Sequence, residues 1–235
     1  MKKIVVIILL LFISIGFSQE KTITLDYAVD YLVTNNKQSR IDTVKVGLDK
    51  SGTYLWTDSK YLAKNLAASM FLGKDSLLEN SELSIILDTE SNSIMLFFNS
   101  EGNELYMNML LSSFFPDSEN GENKEFDFIT ENTNDTILVA GKEAEIYDIY
   151  PSNEGESQKI SIAFDKTLEV DNNQLFRKFL ELIFATQNGL VMDEMNFPNG
   201  LILDITLKGR KLIEANNIEQ KTKTITINHS FKITE

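Results

Sequence analysis

Between residues 22 and 33 the chain places Ile23, Leu25, Tyr27, Val29, Tyr31 and Val33 at every second position. Side chains alternate across a β-strand, so this spacing gathers six apolar groups on one face and predicts a single long, half-buried strand. The period of two returns at Val44, Val46 and Leu48, and again in segments 83–88 and 93–98 around the turn Thr89-Glu90-Ser91-Asn92. With Asp88 opposite Ser93, Leu87 faces Ile94, Ile85 faces Leu96 and Leu83 faces Phe98. That face is wholly apolar. The other carries Ile86, Met95 and Phe97 beside Ser84, so it too is expected to be partly covered.

Further strands are expected at 104–111, with Met107 and Met109 on one face, at 125–130, 137–140 and 143–150, where Ala140-Gly141-Lys142 forms a bend, and at 159–165. Segments 190–197 and 201–207 read as a hairpin around Pro198-Asn199-Gly200, and strands near 211–214 and 222–227 close the chain. Two segments carry a helical period instead. One starts near Asp58, a plausible N-cap, shows Leu62, Leu66 and Met70 as its stripe, and stops at Gly73. The other covers 172–187, is capped by Asp171, and carries Leu175, Phe176, Phe179, Leu180, Leu182, Ile183 and Phe184. That stripe is broader than a helix lying on a flat surface needs. About ten strands, two helices and short connections describe an α+β, mainly β fold with an antiparallel sheet. The helices fall between strand groups, not in βαβ alternation, which argues against a parallel doubly wound sheet.

Residues 1–18 have the form of a signal peptide. Lys2 and Lys3 precede an apolar run from Ile4 to Phe17, and Gly16 and Ser18 are small residues placed for a cut after Ser18. The run is shorter than the roughly 20 residues that span a bilayer. The expected mature chain is 19–235, one β-rich domain, soluble in the periplasm or outside the cell. Its 20 basic against 35 acidic residues give −15, because the leader removes two of the 22 basic residues and none of the acidic ones. Such a charge disfavours nucleic acid and repels anionic headgroups, so a lipid would be enclosed by the protein and not met on a membrane surface.

The residues that carry chemistry are sparse. With no cysteine there is no disulfide, no thiolate zinc site, no catalytic thiol and no lipid-anchoring group. The lone His229 lies between Asn228 and Ser230 and forms no triad. Asp117, Glu119, Glu122 and Glu125 cluster in an acidic stretch, but Gly121 falls one position early for a calcium loop, and a plain solvated loop is expected. There is no G-x-S-x-G elbow or phosphate-binding glycine loop. Asp193 and Glu194 are adjacent and would point to opposite faces of a strand. No enzyme activity, cofactor or metal is expected. Of the three arginines, Arg40, Arg177 and Arg210, the one on the second expected helix is the first to inspect, with a surface ion pair as its expected role.

The order of elements, with the segments LSIILDTESNSIMLFF, ILVAGKEAEIYDIY and GLVMDEMNFPNGLILDITL and a terminal strand before Phe231, resembles the LolA-like superfamily of periplasmic lipoprotein-carrier folds, nearest to its secreted families of unknown function. The resemblance covers roughly residues 22–233. It implies an incomplete antiparallel barrel, a curved sheet of about ten strands, with two helices packed against its concave side and a hydrophobic cavity that accepts acyl chains. Candidate lining residues are Leu83, Ile85, Leu87, Ile94, Leu96, Phe98, Met107, Met109, Phe176, Phe179 and Ile183. Six methionines in the mature chain suit an irregular apolar partner. The expected function is a non-enzymatic binder or carrier of a hydrophobic ligand, a lipid or acylated protein, without stable membrane insertion. The alternative is a cell-envelope protein-interaction or structural module with a self-filled core.

Overall fold

The computed structural model describes residues 21–35, 40–59, 82–100, 103–114, 128–152, 159–178 and 196–227. About 70% of these are β-strand. The first meander comprises β1 (Lys21–Leu25), β2 (Tyr27–Asn35), β3 (Arg40–Leu48), β4 (Tyr54–Thr57), β5 (Glu82–Asp88), β6 (Ser93–Ser100) and β7 (Asn103–Leu110). The second comprises β8 (Phe128–Val139), β9 (Lys142–Pro151), β10 (Ile160–Asp165), β11 (Leu201–Leu207), β12 (Arg210–Glu219) and β13 (Lys223–Ile227).

Eleven strands form one antiparallel sheet in the order β7-β6-β5-β4-β3-β2-β12-β11-β10-β9-β8. Each half is therefore a meander of consecutive strands, and the halves join where β2 pairs β12. No pairing of β7 with β8 closes the sheet among the described residues. It is nonetheless strongly curved: Cα atoms of β8 come within 8 Å of β12 although β9, β10 and β11 lie between them in the sheet. Val139 of β8 shares a core cluster with Ala215 of β12, so the curl is toward that face, and the small side chains Ala144, Ala163 and Ala215 leave room for it.

The β2–β12 ribbon does not end with the sheet. Both strands leave it, at Asp26 and after Glu219, and continue as the separate pair β1–β13, with Ile23 opposite Ile225 and Lys21 opposite Ile227. The expected single strand over residues 22–33 is thus two strands in two sheets. At the break the Asp26 N–H donates to the Leu48 carbonyl at 2.8 Å, and the Asp26 carboxylate accepts the Lys50 N–H at 2.9 Å. The alternation continues through this point without interruption, but its meaning changes. Tyr27, Val29 and Tyr31 face the concave cluster, while Ile23 and Leu25 lie under the opposite, convex face, with Ile86, Met95 and Ile227.

Closure of the ribbon onto the convex face depends on Gly47. A Cβ there would lie 2.6 Å from Leu25 Cδ1, so any larger residue would push the buried Leu25 side chain out of its place. The ribbon is also tied at its ends. Lys21 Nζ donates to Asp88 Oδ2 at 2.5 Å and stands 5.3 Å from the Tyr54 ring centroid, and Lys223 Nζ stands 3.9 Å from that of Trp56.

The hairpin 83–98 has the register expected from the sequence, with Asp88 opposite Ser93 and Leu83 opposite Phe98. Three other expectations are corrected. Residues 128–130 and 137–139 are parts of one strand, β8, whose register against β9 shifts between Asn132 and Thr136, while 125–127 lie outside the described residues. Residues 196–198 are not strand, and β11 pairs β10 and β12, so no hairpin turns around Pro198-Asn199-Gly200. Where two helices were expected, the described residues carry one short helical segment at 175–178 and a 3₁₀ turn at Leu111–Phe114. The first expected helix, from residue 60 on, and the remainder of the second lie outside the described residues. No described helix is long and apolar enough to cross a membrane.

Candidate functional site

The concave face is largely apolar, with the buried Thr57, Asp165 and Asp204 set among its apolar residues. In the first meander Leu83, Ile85 and Leu87 of β5, Ile94, Leu96 and Phe98 of β6 and Leu111 form one buried cluster, with Met107 and Met109 of β7 half-exposed against it. Across the junction of the two meanders, Tyr27, Val29, Tyr31 and Leu48 of the first and Val139, Ala144, Ala163, Leu201, Leu203 and Ala215 of the second form a larger one. Leu55 of β4 packs against both and makes the face continuous. Its central polar group is satisfied: the Tyr31 hydroxyl donates to the Ile202 carbonyl at 2.6 Å, and burial raises its pKa far above the ordinary value of 10.0.

Eight of the eleven candidate residues, Leu83 through Met109, are therefore brought together on one face. Phe176 is not. It packs on the convex side with Ile149, Ile162, Phe164 and Phe197, its ring edge-on to Phe197 at 5.0 Å. Its neighbour Leu175 belongs to the concave cluster, so the helical segment begins at the edge where the two sides meet. Phe179 and Ile183 lie outside the described residues. Sequence reading left out the second half of the concave face, Leu201, Leu203, Ala163 and Ala144, whose only signal was short alternation broken by bulges in β11 and β10.

The helical segment is held by the rim of the sheet. Asp171 Oδ1 accepts the N–H groups of Asn173 and Gln174 at 3.0 and 3.2 Å, the N-cap expected from the sequence. The Asp171 N–H donates to the Lys50 carbonyl at 3.0 Å, and the Gln174 side chain donates to Thr89 Oγ1 at 3.0 Å. Thr89 in turn donates to the Gly52 carbonyl at 3.0 Å. One capped turn thus ties the β3–β4 and β5–β6 turns together. Behind it Asn172 donates to the carbonyls of Pro198 and Gly200 at 2.8 and 2.7 Å. Gly200 has φ +142°, and a Cβ there would lie 2.9 Å from the Asp165 carbonyl oxygen.

Several charged groups tie strands and turns together. Burial opposes ionisation of Asp88, but the Lys21 ammonium and the Ser91 hydrogen bonds outweigh it and hold the carboxyl below its ordinary 3.8. Burial likewise works against the Lys21 charge, and Asp88 overcomes it, so the ammonium is held above its ordinary 10.5. Lys211 bridges Asp204 and Glu214 at 3.1 and 3.0 Å. Arg40 pairs with Asp42 at 2.9 Å on the surface. Arg177, by contrast, makes no side-chain ion pair among the described residues, and its Nε is buried without a hydrogen-bond partner; the expected surface pairing is corrected. No group of three or more His, Asp or Glu among the described residues could hold a metal ion. His229, the acidic stretch from Asp117 to Glu125, and Asp193 and Glu194 lie outside the described residues.

Comparison of the chain with protein-family models and with curated proteins finds no match.

Proposed function

We propose that the protein is an exported, non-enzymatic binder or carrier of a hydrophobic ligand, a lipid or an acylated protein, and that the ligand is taken up along the concave face. The observation that carries this reading is the largely apolar lining of a curved sheet that does not close among the described residues, with Met107 and Met109 half-exposed on its edge strand. Flexible thioether side chains at an apolar margin accommodate chains of irregular shape. The LolA-like resemblance supports the same reading, as does the leader form of residues 1–18.

A second reading, an envelope interaction or structural module with a self-filled core, draws on one specific observation. Leu83, Ile85, Leu87, Ile94, Leu96 and Phe98 are 8% exposed or less. A ligand reaching them would have to displace whatever covers them. Native mass spectrometry of protein purified from its own envelope separates the two. Co-purifying lipid, with its extraction raising the affinity for added lysophospholipid, is the outcome expected of a carrier. Repeated lipid-free preparations that also fail to exchange lipid between vesicles would leave the structural module.

A further inference from the structure

The convex side of the second meander carries a pocket that the concave-face reading does not use. Tyr147 faces away from the concave cluster, because its neighbour Ile146 in β9 packs into that cluster. Phe128 and Thr130 of β8 lie beside it, pairing with Pro151 and Ile149. Opposite them stand Asn196, Phe197 and Pro198, and the six residues together enclose an open-mouthed pocket of about 390 Å³. That is at the smaller end of the range of about 300–1,000 Å³ usual for small-molecule sites.

The far wall is fixed in advance. Asn173 bridges Phe197 through both backbone directions, accepting its N–H at 2.7 Å and donating to its carbonyl at 3.1 Å, while Asn172 donates to the Pro198 carbonyl at 2.8 Å. The near wall is fixed as well. Asn132 donates to the Tyr147 hydroxyl at 3.0 Å, and the Tyr147 ring stands edge-on to Phe164 at 5.7 Å.

The lining selects a ligand class. Phe128, Phe197, Pro198 and the Tyr147 ring offer flat apolar surface, while the Thr130 hydroxyl and the Asn196 amide make no hydrogen bond among the described residues. An acyl chain would bury those groups without partners, at a cost. The two charged groups against Tyr147, Lys166 and Glu145, neutralise each other at 2.6 Å, so among the described residues they offer an ion no unbalanced charge. What fits is a neutral ring with an apolar face and a rim of hydroxyls. We propose that this pocket binds one pyranose unit of a neutral saccharide, its C–H face against the aromatic and proline walls and its hydroxyls on Thr130 and Asn196, the Tyr147 hydroxyl being held by Asn132 and Glu145.

The inference is independent of the hydrophobic-ligand reading, since it uses the opposite face. Saturation-transfer NMR on the full mature chain with cellobiose and N,N′-diacetylchitobiose tests it. Transfer to the ring protons of at least one disaccharide is expected, with affinity on the order of millimolar. Thr130→Val should weaken binding about two- to tenfold, the effect of one neutral hydrogen bond. It keeps the shape of the wall, and an unchanged Tm shows that the fold is intact. Asn196→Ala, at an exposed position, repeats the test where neither core nor strand is touched. Absence of transfer at tens of millimolar sugar, or transfer that both variants leave unchanged, overturns the proposal.

Discussion

At the scale of single residues, the fold turns on contacts that tolerate no added atom and on one ion pair. Gly47 and Leu25 occupy the same space above β3. Gly47→Ala is expected to destabilise the protein by about 1–3 kcal/mol through overpacking, and Leu25→Ala by about 2–4 kcal/mol through the cavity it leaves. Because each relieves the other, the double variant should cost less than the sum, which urea denaturation of the four proteins measures. The Lys21–Asp88 pair sets a pH dependence. Asp88 is depressed, so its contribution is complete above its ordinary 3.8 and is lost as pH falls through its lowered folded value. Lys21 is raised, so its contribution is complete below its ordinary 10.5 and is lost as pH rises through its folded value. Lys21→Met should therefore cost stability throughout the neutral range and flatten the acid limb of a Tm-against-pH curve. A third of the lysine side chain is in water, which keeps the loss near 1 kcal/mol, on the order expected for a partly screened pair.

At the scale of elements, the capped turn at Asp171 joins two hairpin turns of the first meander to the second. Asp171→Ala removes the acceptor for two N–H groups and should cost about 1 kcal/mol. The same loss should speed amide exchange at Asn173 and Gln174 while leaving β5 and β6 protected. Legibility differs among the elements for physical reasons. The 83–98 hairpin was readable because two buried faces leave only one register, and the Asp171 cap because its signal is local. The break at Asp26 was not, since a strand that crosses from one face of the sheet to the other keeps its period of two. Strand β8 was read as two because its bulge, between Asn132 and Thr136, is built from polar residues that look like a loop. Phe176 was grouped with the concave face because a broad helical stripe does not say which residues fall on either side of a sheet edge. Eight candidate residues nevertheless lie together, since they come from strands whose alternation alone assigns their face.

At the scale of the whole molecule, two meanders meet at β2 and β12, and β1 and β13 fold back as a ribbon over the convex face of the first. Each half thus has its convex side covered by a separate device: the β1–β13 ribbon on one, Phe176 and Phe197 on the other. The concave face runs through both halves and is the surface to which a ligand role is assigned. The methionines offer a direct test, because Met107 and Met109 lie on the concave margin and Met95 is buried under the ribbon on the other side. The deciding measurement is a titration of ¹³C-methyl-methionine-labelled protein spanning residues 19–235 with a lysophospholipid, followed by methyl NMR. The account predicts saturable shifts at Met107 and Met109 with Met95 unmoved. No shift at the first two, or equal shifts at all three, would contradict it.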